Sequence, residues 1–144
     1  MELIIKSFSE LTAAEFHEIA MLRVSVFVVE QSCPYQEIDD HDPKALHLWL
    51  RDSEGIAAYA RVLPGGELFP EVAIGRVIAV KRRRGLGTRI VSEAVSAARS
   101  RFGAELISVE AQVYARGLYE KLGFRQCSEE FLEDGIPHIK MQLK

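Results

Sequence analysis

Three strand-like runs in close succession, followed at once by a glycine pair and a helical apolar pattern, leave few folds open to this chain. "ALHLWLR", "GIAAYARVL" and "EVAIGRVIAV" all lie between Ala45 and Val80. The turn clusters "DSEG" and "PGG" separate them, which predicts an antiparallel meander. Immediately beyond, "VKRRRGLGTRIV" carries Lys81 to Arg84 into Gly85 and Gly87, and Leu86, Ile90, Val91, Ala94, Val95, Ala98 and Phe102 then trace one helical face.

The remaining segments extend this frame. "LIIKSF" reads as a first strand. Thr12 and Glu15 stand at capping-box spacing, and Phe16, Ile19, Ala20, Leu22, Val26 and Phe27 recur at helical intervals, predicting a helix from Thr12 to about Val28. Its end is open to two readings, because "VSVFVVE" is β-branched and also suits a strand. Gln31 to Lys44, polar and carrying two prolines, reads as a long loop crossing the surface. "AELISVE" is a further strand, "AQVYARGLYEKLGF" a short helix ended by Gly123, and "FRQCSEEF" and "IPHIKMQL" are closing strands around "LEDGIP". The order β-α-β-β-β-α-β-α-β-β, without repeat or linker, predicts one α/β domain over residues 1–144, with helices around a central mixed, mainly antiparallel sheet.

Composition narrows function by exclusion. A chain of 144 residues buries roughly 70% of its unfolded surface, enough for a core without disulfides. The net charge of −3 disfavours a generally nucleic-acid-binding surface, and the basic run has no interleaved aromatic residues for base stacking. Cys33 and Cys127, the two cysteines, form no metal-ligand spacing, so no metal is expected. The N-terminus lacks a signal-peptide pattern, and no window reaches ~18 apolar residues, so a cytoplasmic protein with no membrane partner is the default expectation.

The basic-glycine stretch has two physical readings. It is either a solvated turn or an anion cradle, in which free backbone N–H groups at the helix start meet a phosphate and glycines let it approach. Arg82, Arg83 and Arg84 would add charge around it. Neither common nucleotide motif fits. GxxxxGK[ST] is absent, and Ile90 stands where a dinucleotide fingerprint needs its third glycine.

Arg82-x-x-Gly85-x-Gly87 after a meander strand resembles the signature of GNAT acyltransferases, and "VYARGLYEKLGF" resembles that superfamily's next motif. The strings "LRVSVFVVEQSCPYQEID", "YARVL", "IGRVIAV", "AQ" and "EDGIPHIKM" resemble its ElaA-like branch over nearly the whole chain. The connection from "GRVIAV" to the glycines is slightly shorter than that branch usually shows, so Arg82 and Arg84 are alternatives for the first residue of the signature.

The resemblance implies a set of roles. Acetyl-coenzyme A would place its pyrophosphate on the turn of Arg82, Arg83, Arg84, Gly85, Leu86, Gly87 and Thr88. Its pantetheine arm would run along Ile78, Ala79 and Val80, where a bulge or splay would free an N–H for the thioester oxyanion. Gln112 falls at the motif's usual asparagine, and Tyr119 is the expected proton donor to the departing thiolate.

For the base that deprotonates an amine acceptor, Glu30 and His138 are the first candidates, with a water chain as the alternative and Asp39, Asp42 and His47 behind them. His41 is assigned to the acidic loop and His17 to an exposed helix face. Glu37, Asp39, Asp40 and Asp42 would either recognise a cationic amine or be merely solvated, Cys33-Pro34-Tyr35 would pin the loop, and Arg23 would pair with a loop carboxylate. The expected activity is N-acetyl transfer to a primary amine of a small molecule or peptide, by a monomer or homodimer. The competing readings are a coenzyme-binding or sensing protein with little turnover, and a nucleic-acid module built on Lys81 to Arg84.

Overall fold

A computed structural model describes residues 1–81 and 84–144; Arg82 and Arg83 lie outside the described residues. Eight strands form one sheet: β1 (Glu2–Ser7), β2 (Leu46–Asp52), β3 (Gly55–Leu63), β4 (Val72–Ala79), β5 (Ile107–Gln112), β6 (Arg125–Gln126), β7 (Phe131–Glu133) and β8 (Ile136–Leu143). Their spatial order is β1-β2-β3-β4-β5-β8-β6, with β7 also on β8. Only β4 and β5 run parallel, and the other pairings are antiparallel. The expected mixed α/β architecture is present, with one strand more than the sequence reading allowed. "FRQCSEEF" does not form one strand: it supplies β6 and the start of β7, which pair with different stretches of β8.

Period-two alternation in the meander decides what lies on each face of the sheet. Leu46, Leu48 and Leu50 of β2 and Ala58, Ala60 and Val62 of β3 pack with Ile90, Val91, Ala94 and Ala98 of helix α2 (Leu86–Phe102). The intervening residues turn the other way. Trp49, Tyr59 and Ile78 bury with Ile19 of helix α1 (Ala13–Val24), beside Leu22, Val26 and Phe27. A two-faced core of this kind requires strands that are apolar on both sides, and "LHLWL" and "AAYARVL" are.

Thr12 caps α1 as its spacing predicts: its hydroxyl accepts from the Glu15 N–H at 3.0 Å, and the Glu15 carboxylate accepts from the Thr12 N–H at 2.9 Å. The ambiguous "SVFVVE" is helical, but in a widened π-helical turn over Ser25–Glu30. Four valines within six residues, Val24, Val26, Val28 and Val29, crowd an α-helical turn, and the π turn relieves that crowding. A short helix α3 (Arg116–Lys121) ends at Gly123, whose φ of 95° confirms the expected left-handed stop. No helix among the described residues is long and apolar enough to cross a membrane.

His47 on β2 is fully buried. Its Nε2–H donates to the Asp42 carbonyl at 3.0 Å, so Nδ1 accepts from the Tyr59 hydroxyl at 2.7 Å. Burial drives its pKa below the usual imidazole value. In the unfolded chain the same ring takes up a proton near pH ~6.5, so its contribution to stability is complete above that pH and is lost as pH falls below it. The urea midpoint should therefore drop between pH ~7.5 and pH ~5.5, and His47→Gln, which keeps a donor and an acceptor, should flatten that drop. An unchanged slope in the variant would remove His47 from the account.

Candidate functional site

β4 and β5 are paired only from Val72 opposite Ile107 to Ile74 opposite Val109, and then they separate. The cause lies on the other edge of β4. Arg61 stands opposite Gly75 and Tyr59 opposite Ile78, so β3 contributes Ala60 where β4 contributes both Arg76 and Val77. Arg76 occupies the left-handed region with φ 53°, a conformation that costs a non-glycine residue energy unless its surroundings enforce it.

Those surroundings are ionic. The Arg76 guanidinium donates to Glu37 Oε2 at 2.9 Å and to Asp39 Oδ2 at 3.3 Å, and it lies over the Tyr35 ring. Glu37 Oε2 also accepts from Arg23 Nε at 2.8 Å, and Arg23 Nη1 donates to Asp42 Oδ1 at 2.6 Å. Arg61 Nη1 donates to Asp39 at 2.7 Å and to Asp42 at 3.1 Å. Three guanidinium groups thus meet three carboxylates, and the Tyr35 hydroxyl donates to Glu37 as well. Burial pushes the other way, but Arg61 holds Asp39, and Arg23 holds Asp42, below the ordinary carboxylate range.

The segment read as a loop crossing the surface does run there, but it turns three of its acidic side chains inward. Glu37 and Asp42 are buried, and a short 3₁₀ turn over Asp42–Lys44 brings the chain back to β2. Asp40 alone of the four acids is exposed. Arg23 pairs with the loop carboxylates, as its sequence position suggested, and it is 0% exposed. Having spent their charge on arginines, Glu37, Asp39 and Asp42 are poorly suited to holding a cationic substrate.

The separation of β4 from β5 opens a cleft of ≈ 340 Å³. Gly75, Arg76 and Val77 form one wall and Glu110, Ala111 and Gln112 the other, with Phe27 and Gln31 from the π turn, Tyr119 from α3 and His138 from β8. Gln112 Nε2 donates to Gln31 Oε1 at 3.3 Å across it. The bulge lies just upstream of Ile78, Ala79 and Val80. Of these, Val80 gives its N–H to the Ala57 carbonyl at 2.9 Å, so by alternation Ala79 turns its backbone groups to the open side.

Helix α2 starts at Gly85, in the left-handed region at φ 67°, with no side chain among the described residues capping it. Its first N–H groups, on Leu86, Gly87 and Thr88, have no acceptor among the described residues. The two glycines serve different ends. Gly85 adopts a backbone conformation that side chains disfavour, whereas a Cβ on Gly87 would lie 2.8 Å from Leu118 Cδ1, so this glycine allows α2 to approach α3. Lys81 belongs to neither function, since it pairs with Glu54 at 2.8 Å.

Tyr119 is 7% exposed and lines the cleft, its ring edge-on to Phe124, and no hydrogen bond from its phenol to the described residues is present. Burial, with Tyr114 nearby, lifts its pKa well above the ordinary phenol value. His138 Nδ1 donates to the Ile136 carbonyl at 2.7 Å and leaves Nε2 toward the Glu133 carboxylate, 3.8 Å away. Glu30 sits exposed at the end of the π turn and does not line the cleft. His47 is committed to Tyr59 and Asp42, His41 to Glu67 at 2.7 Å, and His17 is exposed on α1.

Sequence reasoning missed Glu110. It is half-buried in the cleft wall, and burial, then the Glu133 charge, raise its carboxyl pKa. A signal was present: Ser108, Glu110 and Gln112 alternate with buried Ile107, Val109 and Ala111, so "ISVEAQ" has a polar face that must look into something.

An uncapped helix start and a parallel strand pair forced apart by a bulge are the layout expected of an acyl-coenzyme A site, and the comparison with known proteins agrees. Residues 9–144 match the family model for an acetyltransferase (GNAT) domain. The chain belongs to the GNAT acetyltransferase family. A UPF0039 protein of Schizosaccharomyces pombe is 40% identical over 148 residues, covering 100% of this chain and 97% of that protein. The crystal structure of Escherichia coli ElaA matches with a TM-score of 0.91 at 33% identity over 100% of both chains. An acyl-CoA N-acyltransferase from Pseudomonas aeruginosa matches at 0.91 and 35%, over 99% of both. Membership of this family makes the chain an acyltransferase that uses an acyl-coenzyme A donor.

If the ionic lattice holds the bulge, removing its shared carboxylate should be severe. Glu37→Gln leaves Arg23 buried with half its charge partners and should cost about 3–5 kcal/mol of unfolding free energy in urea titration. Glu129→Gln, at an exposed position, should stay within about 0.5 kcal/mol. Equal effects would show that the lattice is not structural.

Proposed function

We propose that this GNAT chain is an acetyl-CoA-dependent N-acetyltransferase acting on a primary amine of a small molecule or peptide. The observation that carries the reading is the Tyr119 phenol, buried, without a hydrogen-bond partner among the described residues, and lining the cleft between β4 and β5. Acetyl-CoA supplies an acyl group activated as a thioester. The N–H groups of Leu86, Gly87 and Thr88, with Gly85 and the arginines Arg82, Arg83 and Arg84, hold its pyrophosphate. Ala79, between Ile78 and Val80, pairs with the pantetheine amides through the backbone groups that β5 has abandoned. Gln112, opposite Gln31, borders the arm where it reaches the bulge.

Glu110 removes the proton from the acceptor ammonium, directly or through water. Its raised pKa, from burial and then the Glu133 charge, makes the carboxylate a stronger base than an exposed glutamate. The neutral amine attacks the thioester carbon, a backbone N–H at the bulge receives the negative oxygen, and collapse breaks the carbon–sulfur bond. Tyr119 then gives its proton to the thiolate, and the proton that the acylated nitrogen loses returns through water to the phenolate. The upward shift of the phenol keeps it in the protonated form, the one that can donate.

Tyr119→Phe should lower kcat by about 10²-fold or more while leaving the dissociation constant of acetyl-CoA within about threefold. Glu110→Gln should abolish the acid limb of the pH profile of kcat/KM, which lies above the ~4.3 of an ordinary glutamate. Both are read from thiol release with a panel of amines. Wild-type protein that binds acetyl-CoA yet releases thiol with no acceptor would establish the coenzyme-binding reading instead.

A further inference from the structure

The charged residues of the cleft fall into two sets. Asp39, Arg61 and Arg76 belong to the neutralised lattice. The second set is Glu110 on β5, Glu133 and Asp134 at the β7–β8 turn, and His138 on β8, all lining the same cavity. No lysine or arginine among the described residues forms an ion pair with any of these carboxylates; Lys140, across from Glu110 in the β5–β8 register, gives its ammonium to Glu71 at 3.0 Å. Three carboxylates therefore line the cleft with no ion-paired lysine or arginine among the described residues, and the His138 imidazole stands beside them.

Hydrogen bonding points the same way without reference to charge. His138 is 9% exposed, and its Nδ1–H is spent on the Ile136 carbonyl. Its Nε2 stands 3.8 Å from Glu133 Oε2, beyond hydrogen-bond distance, and makes no hydrogen bond to the described residues. A largely buried side chain thus lines the cavity with one ring nitrogen unspent beside a carboxylate. A primary ammonium, with three N–H donors and a positive charge, is the complement of this arrangement. It is not the group that reacts. Glu110 lies on the first residue of β5 past its pairing with β4, beside the bulge where transfer would occur, whereas Glu133 and Asp134 lie out on the hairpin turn.

We infer that the acceptor is a small aliphatic diamine: one amine is deprotonated by Glu110 and acylated, and the second, still an ammonium, is held by Glu133, Asp134 and His138 Nε2. The inference rests on the N-acetyltransferase reading and specifies its substrate class. Leu68 and Phe69, which line the same cavity, offer the apolar surface that a methylene chain between two amines requires. A cavity of ≈ 340 Å³ suits a ligand of this size, near the small end of ligand-binding clefts.

The test compares diaminobutane with pentylamine, in which a methyl group replaces the second ammonium. Affinity is measured by calorimetry in the presence of coenzyme A, and transfer by thiol release from acetyl-CoA. Wild type should prefer diaminobutane by about tenfold or more in both readouts. In Glu133→Gln/Asp134→Asn the ratio should fall to within about twofold of unity. Asparagine is chosen at 134 because it tolerates the left-handed backbone there, φ 51°, and a thermal melt checks that the fold is kept. Equal affinity for the two amines, or a preference that survives in the double variant, overturns the inference. A second acetylation, of the mono-acetylated product that has lost its other ammonium, as fast as the first overturns it while leaving N-acetyl transfer intact. Selective diamine binding without thiol release supports the site and overturns the transfer reading.

Discussion

A guanidinium sealed from water organises this molecule. Arg23 reaches from α1 into the interior and must find negative charge there, because an unpaired cation in that position would cost several kcal/mol. Glu37 and Asp42 supply it, and to do so the segment between the π turn and β2 must fold inward. Once inward, the same carboxylates reach Arg61 on β3 and Arg76 on β4. The lattice thereby fixes the strained residue at which β4 bulges, and the bulge accompanies the parting of β4 from β5. One set of ion pairs thus links the first helix to the mouth of the cleft between β4 and β5.

The two ends of the cleft then acquire opposite character. At the α2 end there are Arg84 and backbone N–H groups that no described residue caps, which suit a polyanionic coenzyme. At the β7–β8 turn stand the Glu133 and Asp134 carboxylates and the His138 imidazole, which suit an amine. The proposed transfer from an anionic donor to a cationic acceptor uses this polarity along one cleft, lined also by Tyr119 and Glu110.

Legibility in the sequence followed the range of the interactions involved. The meander, the capped first helix, the α2 face and the Gly123 stop rest on local periodicity and turn chemistry, and all four formed as read. The glycine pair was legible as a helix start, but only the packed structure distinguishes Gly85, needed for its backbone angle, from Gly87, needed to admit Leu118. What could not be read depended on pairing across the fold. Glu37 and Asp42 lie in a segment that is polar by composition, and nothing local reveals that arginines at positions 23, 61 and 76 neutralise it. The bulge falls at Arg76 rather than at a glycine, because distant carboxylates pin its left-handed backbone. Glu110 sits in an ordinary strand, and only the departure of β4 from its side exposes it.

The central claim is that the lattice-held bulge and the gap it leaves between β4 and β5 form the seat of acyl transfer. A structure of the protein with acetyl-CoA tests this most directly. The account predicts the pantetheine arm lying in the gap beside Ala79, the thioester oxygen ~3 Å from a backbone N–H at the bulge, and the Tyr119 hydroxyl within hydrogen-bond reach of the sulfur. Coenzyme bound elsewhere, or an arm in the gap with its thioester remote from both the bulge and Tyr119, would contradict it.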